Sequence, residues 1–295
     1  MSCFKVLYSI VVLAWGVLAC HLQADELLRL TQDGRLKRDP IYVDQGNAII
    51  YGVDETTDRI RLMRMELKTG NVTPFHAEAS RSELEIAFSP DGRYYAVVEN
   101  TGNLTLKLVI RDTQEGRTAE IKCQGRGGFR SPVFSPDGTR VVYSHPEKGS
   151  QQLFSVNVEG QDRQTLTESR GIDNWPSFSP DGKTIVFASS RDGNFEIYAK
   201  HADQKTPVRL TDSPTQDIRP VLSPDGQQIA FTSTRNGNHE IYVMKLDGTD
   251  VRQVTNHPER DDYPSWHPQG NQLLFVSERG GRFDLYACDL ATLAK

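Results

Sequence analysis

Residues 177–200 read SFSPDGKTIVFASSRDGNFEIYAK, and 44 residues further on the chain writes nearly the same thing, SPDGQQIAFTSTRNGNHEIYVMK, over residues 223–245. Self-similarity at a fixed period of this size belongs to arrays of one supersecondary unit, in which no unit buries its apolar face alone. The Ser-Pro-Asp-Gly turn stands at Ser89, Ser135, Ser179 and Ser223; His267-Pro268-Gln269-Gly270 follows, and Val43-Asp44-Gln45-Gly46 precedes. Steps between first turn residues are 46, 46, 44, 44 and 44. Two markers hold the weak copies in the series. Thr31, Thr167, Thr211 and Thr255 each precede their turn by 12 residues, and Pro40, Pro132, Pro176, Pro220 and Pro264 by 3. There are six copies.

Each copy has the chemistry of four antiparallel strands. A short strand enters the Pro-Asp-Gly turn, where Pro presets φ and Gly supplies a positive φ. A second strand follows, rich in β-branched and aromatic residues, as in Ile185-Val186-Phe187. Asp192-Gly193 and Asn236-Gly237 then read as type I′ hairpins. A third strand (Glu196-Ile197-Tyr198) leads to a fourth that ends at the Thr marker. Six such units predict an all-β chain, a six-bladed β-propeller of four-stranded antiparallel blades. Tyr198 and Tyr242 lie 13 residues before their Thr, but 13 residues beyond Tyr286 lies past Lys295, so the last blade lacks its own fourth strand. Residues 27–31 form a fourth strand with no blade before it. The N-terminal strand is therefore expected to complete the last blade and close the ring.

Lys5 and the apolar run of residues 6–18 have the form of an export signal, too short to span a bilayer comfortably as a helix. Two cleavage readings stand. Val17-Leu18-Ala19-Cys20 resembles a lipobox, with Cys20 lipidated; cutting after Ala24 leaves a soluble propeller of residues 25–295. Without residues 1–24 the chain has 33 basic and 39 acidic residues, a net charge of −6. An acidic chain without a basic run does not suit nucleic acid. Cys123 and Cys288 fall in blades 2 and 6, too far apart for a disulfide, and are expected to be packed thiols.

One face gathers the loops that run from the rim to the channel mouth. Six residues before the turn these loops carry Asp173, Asp217 and Asp261, where blades 1 to 3 have Lys37, Glu83 and Phe129. Just before the Pro come Trp175, Arg219 and Tyr263. Aromatic and Arg side chains around a channel mouth suit protein recognition. Arg191, Arg235 and Arg279 recur on the same face and offer each Asp a partner within its own blade, so a scaffold role for the acids stands beside the recognition role. No metal or cofactor is expected, since the three acids come from separate blades. No phosphate loop, nucleophile elbow or paired His at metal spacing occurs, so no catalytic residue is assigned.

The series Arg-Leu-Thr, Asp-x-x-Pro, Ser-Pro-Asp-Gly and Ser-x-Arg-Asp-Gly-Asn-x-Glu-Ile-Tyr resembles the repeat of the TolB-type propeller family, most closely over residues 164–287 and more loosely over 27–156. The resemblance implies a periplasmic setting and a propeller that binds an outer-membrane lipoprotein. TolB carries an α/β domain before its propeller, whereas here the first strand follows almost directly on the leader, so roles of that domain are not carried over. A similar repeat serves prolyl-oligopeptidase-type enzymes, whose hydrolase domain has no counterpart in these residues. The expectation is an exported, monomeric, non-enzymatic propeller that binds a protein or cell-envelope component through Asp173, Trp175, Asp217, Arg219, Asp261 and Tyr263. The alternative is an enzyme or oligosaccharide binder working inside the channel.

Overall fold

The computed structural model describes residues 27–291, except 58, 103–104 and 123–126. The leader, Cys20, both cleavage sites and Cys123 lie outside the described residues. Six four-stranded antiparallel sheets follow one another around a central channel. Blade 4 is representative: Asp173–Phe178, Thr184–Ser189, Glu196–His201 and Val208–Arg209, running from the channel to the rim.

The reason for the repeat is visible in the core. There are six apolar clusters among the described residues, and each straddles two neighbouring blades rather than filling one. Val186, Ala188 and Ile197 of blade 4, for example, pack on Phe231 and Tyr242 of blade 5. A single blade would leave both apolar faces in water, so stability comes with neighbours.

The turns follow the expected chemistry. Ser179 Oγ lies 2.6 Å from Asp181 and accepts the Thr184 N–H at 2.9 Å, while Gly182 takes φ +70°. The same bonds recur at Ser89, Ser135 and Ser223. His267 substitutes in the last copy, its Nδ1 accepting the Gln269 N–H at 3.2 Å.

The hairpins at Asp192-Gly193 and Asn236-Gly237 are not type I′ turns. Gly193 and Gly237 have positive φ, but Asp192 and Asn236 do not, and Ser189 pairs with Glu196 across a six-residue loop. The wider loop lets Arg191 fold back to Asp173 and puts Asp192 2.5 Å from the Tyr198 hydroxyl. Two-residue hairpins with both central φ positive occur instead at Lys148-Gly149 and Gly280-Gly281.

Ring closure is as expected. Leu27–Arg29 pairs antiparallel with Arg282–Asp289, with Leu27 opposite Cys288 and Arg29 opposite Tyr286. The Thr marker explains the register. In blades 4 and 5, Thr211 and Thr255 donate to Glu196 and Glu240 at 2.6 Å and accept the next backbone N–H at 2.9 Å. Thr31 does the same for Asp284 and Leu285 of blade 6. Cys288 is a buried free thiol in this strand, pushed up to about 12 by burial.

Candidate channel-mouth site

Every innermost strand breaks its ladder at the same place. Pairing between the first and second strands shifts register at Arg38/Ile41, Glu83/Ile86, Arg130/Val133, Asn174/Ser177, Ile218/Val221 and Asp262/Ser265. In five blades a Pro, which has no N–H to give the ladder, sits at the break. The residue before each Pro is then left in positive φ: Asp39 (47°), Ser131 (50°), Trp175 (53°), Arg219 (53°) and Tyr263 (60°). In blade 2 Ile86 replaces the Pro, and Glu85 before it does not have positive φ. A bulge re-aims its side chain. Here six of them aim Asp39, Glu85, Ser131, Trp175, Arg219 and Tyr263 at one cavity of about 310 Å³.

The site residues expected from sequence divide into two groups. Asp173, Asp217 and Asp261 have zero exposure. Arg191 reaches both oxygens of Asp173 at 3.1 Å, Arg235 reaches Asp217 at 2.8 Å and Arg279 reaches Asp261 at 2.9 Å. Ser189 and Ser277 each add a bond of 2.6 Å. These carboxylates have no surface to offer a partner; they pin the long loops to the second strand of their own blades. In blades 1 to 3 the position does other work. Lys37 is fully buried and reaches across to Asp284 of blade 6, Glu83 holds His76 at 2.7 Å, and Phe129 stacks on His145 at 4.7 Å.

Trp175, Arg219 and Tyr263 do come together. The Arg219 guanidinium carbon lies 4.0 Å from the Tyr263 ring centre and 4.9 Å from that of Trp175, so two aromatic faces enclose it. Its Nη1 donates to Asp262 at 3.2 Å. Asp262 also accepts from Arg260 at 3.0 Å and from Thr232 at 2.8 Å. Burial would push Asp262 up, but Arg219 and Arg260 hold its carboxyl below the usual range. The three-residue stack is thus fixed from beneath by a buried charge.

The opposite side of the mouth was not singled out from sequence. Asp39 and Glu85 occupy, in blades 1 and 2, the position that Trp175 and Arg219 occupy in blades 4 and 5. Counting four residues back from the first and second turns would have found them. Burial, reinforced by the Glu85 charge, pushes Asp39 up to about 7 against the pull of Arg219 and Arg38. Glu85 is raised by burial too, although Arg130 at 3.6 Å and the Ser131 N–H oppose the shift. Among the described residues no cluster of three or more His, Cys, Asp or Glu is arranged to hold a metal, and no helix is long and apolar enough to cross a membrane.

Comparison with known proteins places this architecture. Residues 78–222 match the family model described as the TolB beta propeller domain, and residues 197–291 match the tricorn protease N-terminal beta propeller domain. No curated protein matches the chain. The crystal structure of TolB from Acinetobacter baumannii superposes with a TM-score of 0.69 at 21% identity, covering 84% of this chain and 65% of that one. A putative TolB from Agrobacterium tumefaciens gives 0.67 at 23% identity, covering 77% and 84%. An oligogalacturonate lyase in complex with manganese gives 0.63 at 18% identity, covering 90% and 80%. Likeness at these identities establishes the fold and leaves the activity open. This chain spans 65% of the length of the Acinetobacter protein.

Proposed function

We propose, on the premise that this chain belongs to the TolB-like β-propeller repeat family, that it is an exported, non-enzymatic propeller that binds another protein at its channel mouth. The observation that carries this reading is the Trp175–Arg219–Tyr263 stack. Two aromatic rings and an Arg, already ordered by Asp262, form a recognition surface with little left to immobilise on binding. The fitting partner is a protein or cell-envelope component, such as an outer-membrane lipoprotein, met by a monomer in the periplasm. The leader supports export, and a lipidated Cys20 would tether the same propeller to the envelope.

A second reading has one observation in its favour. A carboxyl held near 7 in a small cavity has the properties of a general acid–base, which suits chemistry on a small molecule in the channel. Capture from envelope extract separates the two. Wild-type protein and the Trp175→Ala/Tyr263→Ala variant are crosslinked to extract, and the captured proteins are identified by mass spectrometry. One protein retained by wild type and lost from the folded variant supports recognition at the mouth. A wild type that retains no specific protein overturns it.

A further inference from the structure

The two halves of the channel mouth differ in what they leave unsatisfied. On the side of blades 4 to 6, Arg219 has its charge met by Asp262 and both its faces covered by rings, and among the described residues only its buried Nε is without a hydrogen-bond partner. An anion arriving there would compete with a carboxylate already in place. On the side of blades 1 and 2, Asp39 has no hydrogen-bond or ion-pair partner among the described residues: its neighbour Arg38 turns away to Asp54 at 2.7 Å. Glu85 gives one oxygen to the Ser131 N–H and meets Arg130, whose side chain is 43% exposed, only at 3.6 Å. Two carboxyls therefore share a small cavity in which Arg130 lies 3.6 Å from Glu85, while Arg219 and Arg38 act on Asp39 through space, without an ion-pair contact.

What would complete this half is a positive group. Its kind follows from the rest of the lining. Asp39 and Glu85 supply only two carboxylates, and Glu85 is already engaged, so a bare metal ion would lack ligands. The remaining wall is mostly apolar, with Pro40, Ile41, Pro132, Val133, Pro176 and the Trp175 ring beside the polar Ser131, Ser177 and Ser265 and the Arg219–Tyr263 pair. A charged head on a carbon stem fits a cavity that is acidic at one edge and mostly apolar along its walls. The order of blades puts Trp175 of blade 4 across the ring from Asp39 of blade 1.

We infer that the channel mouth receives a primary ammonium group, carried into the cavity by a lysyl side chain or an amino terminus and seated between Asp39 and Glu85 against Trp175. This rests on the reading that a protein is the ligand, and names the part of that protein which enters. The bulge that holds Asp39 at φ +47° is the one shared by Ser131, Trp175, Arg219 and Tyr263, and in blade 1 it turns a carboxyl toward the cavity. The charged and titratable groups facing Asp39 are Glu85, Arg219, Arg38, Asp262 and Tyr263. With Asp39 near 7, seating a cation beside it expels a proton, so binding tightens as pH rises from 6 to 8.

The test is calorimetric titration of the whole folded propeller with three probes. Nα-acetyl-lysine methylamide carries only a side-chain ammonium, and norleucine amide only an amino-terminal one. Nα-acetyl-norleucine methylamide is the neutral control. The expected result is that at least one ammonium probe binds tenfold or more tighter than the control at pH 7.5, and which one identifies the source of the group. Asp39→Asn, which tolerates the same φ, should reduce the preference below twofold. It should also abolish the proton release seen as a buffer-dependent heat. Equal binding of all three probes overturns the inference, as does an unchanged preference in a folded Asp39→Asn variant. Because no partner protein is present, this result is independent of extract capture: an ammonium preference without a captured protein would sink the protein-binding reading alone.

Discussion

Thr31 and Asp284, 253 positions apart in the chain, are joined by a hydrogen bond of 2.8 Å, and that bond marks where the ring closes. Asp284 is also reached by Arg29 at 2.6 Å, by the Gly34 N–H at 3.2 Å and by Lys37 at 3.3 Å. Every one of these donors comes from the N-terminal segment. The closure is thus a single carboxylate gathering an entire strand and the loop after it, beside the short ladder of residues 27–29.

Replacing Thr31 by Val should therefore cost more than its size suggests. The change orphans the Leu285 N–H and removes one donor from a buried carboxylate, a loss of about 1–3 kcal/mol. For a domain of this size each kcal/mol lowers Tm by about 2–4 °C. Thr31→Ser keeps the hydroxyl and should recover most of the loss. Thermal melts of the two variants check this, and equal Tm values for Val and Ser would show that the hydroxyl does not hold the seam. Deleting residues 25–32 should lower Tm far more than either.

Acid should open the same seam first. Burial alone would raise Asp284, but Arg29, Thr31, Gly34 and Lys37 together hold it below its ordinary value. A depressed carboxylate adds stability that is present above its unfolded value, about 3.9, and is lost as pH falls through the lower folded value. Below about pH 4 the N-terminal strand should lose protection before the other blades do. Amide hydrogen exchange at pH 6 and pH 3.5 measures it: protection of Leu30 and Leu285 should fall selectively, whereas a uniform fall across all blades would refute the idea.

The three internal Asp–Arg pairs should act as structure and show it in a mutational asymmetry. Arg235→Ala leaves Asp217 charged, fully buried and without its cation, a change that costs about 3–5 kcal/mol. Asp217→Asn/Arg235→Met removes both charges and should regain much of that loss. Denaturant midpoints of the single and double variants decide the matter. A double variant no more stable than the single one would mean that the pair does more than neutralise itself.

Much of this was legible in the sequence because the repeat is a set of local hydrogen-bond requirements written out six times. Ser179, Asp181 and Gly182 make a turn by themselves, and Thr211 needs only Glu196 and the next N–H. Thr31 carried the same signature without a blade of its own, and together with the fourth strand missing after Tyr286 it pointed to closure. Depth was harder to read. Asp173 and Trp175 are two residues apart, yet one has zero exposure and the other lines the channel, because the ladder breaks between Asn174 and Ser177, where Pro176 follows Trp175, and the bulge re-aims the second side chain. Asp192-Gly193 looked like a tight hairpin, but the need of Arg191 to reach Asp173 widened it. Asp39, Glu85 and Ser131 share a position without sharing a residue type, so type alone did not connect them to Trp175, Arg219 and Tyr263.

Asp39 offers a last prediction, in which stability and binding oppose one another. Its folded value near 7 lies well above the ordinary carboxylate value of about 3.9. The folded state therefore holds a proton that the unfolded state has released, and stability falls as pH rises from about 4 to 7. Asp39→Asn has no such charge to bury, so it should melt higher than wild type at pH 8 and close to wild type at pH 4. Melting curves across that range test the sign. A variant less stable than wild type at pH 8 would mean that the Asp39 carboxylate is compensated within the chain and has no need of a ligand. A variant that is more stable but binds no ammonium probe would show the opposite relation: a group kept at a cost to the fold because the cavity needs its charge.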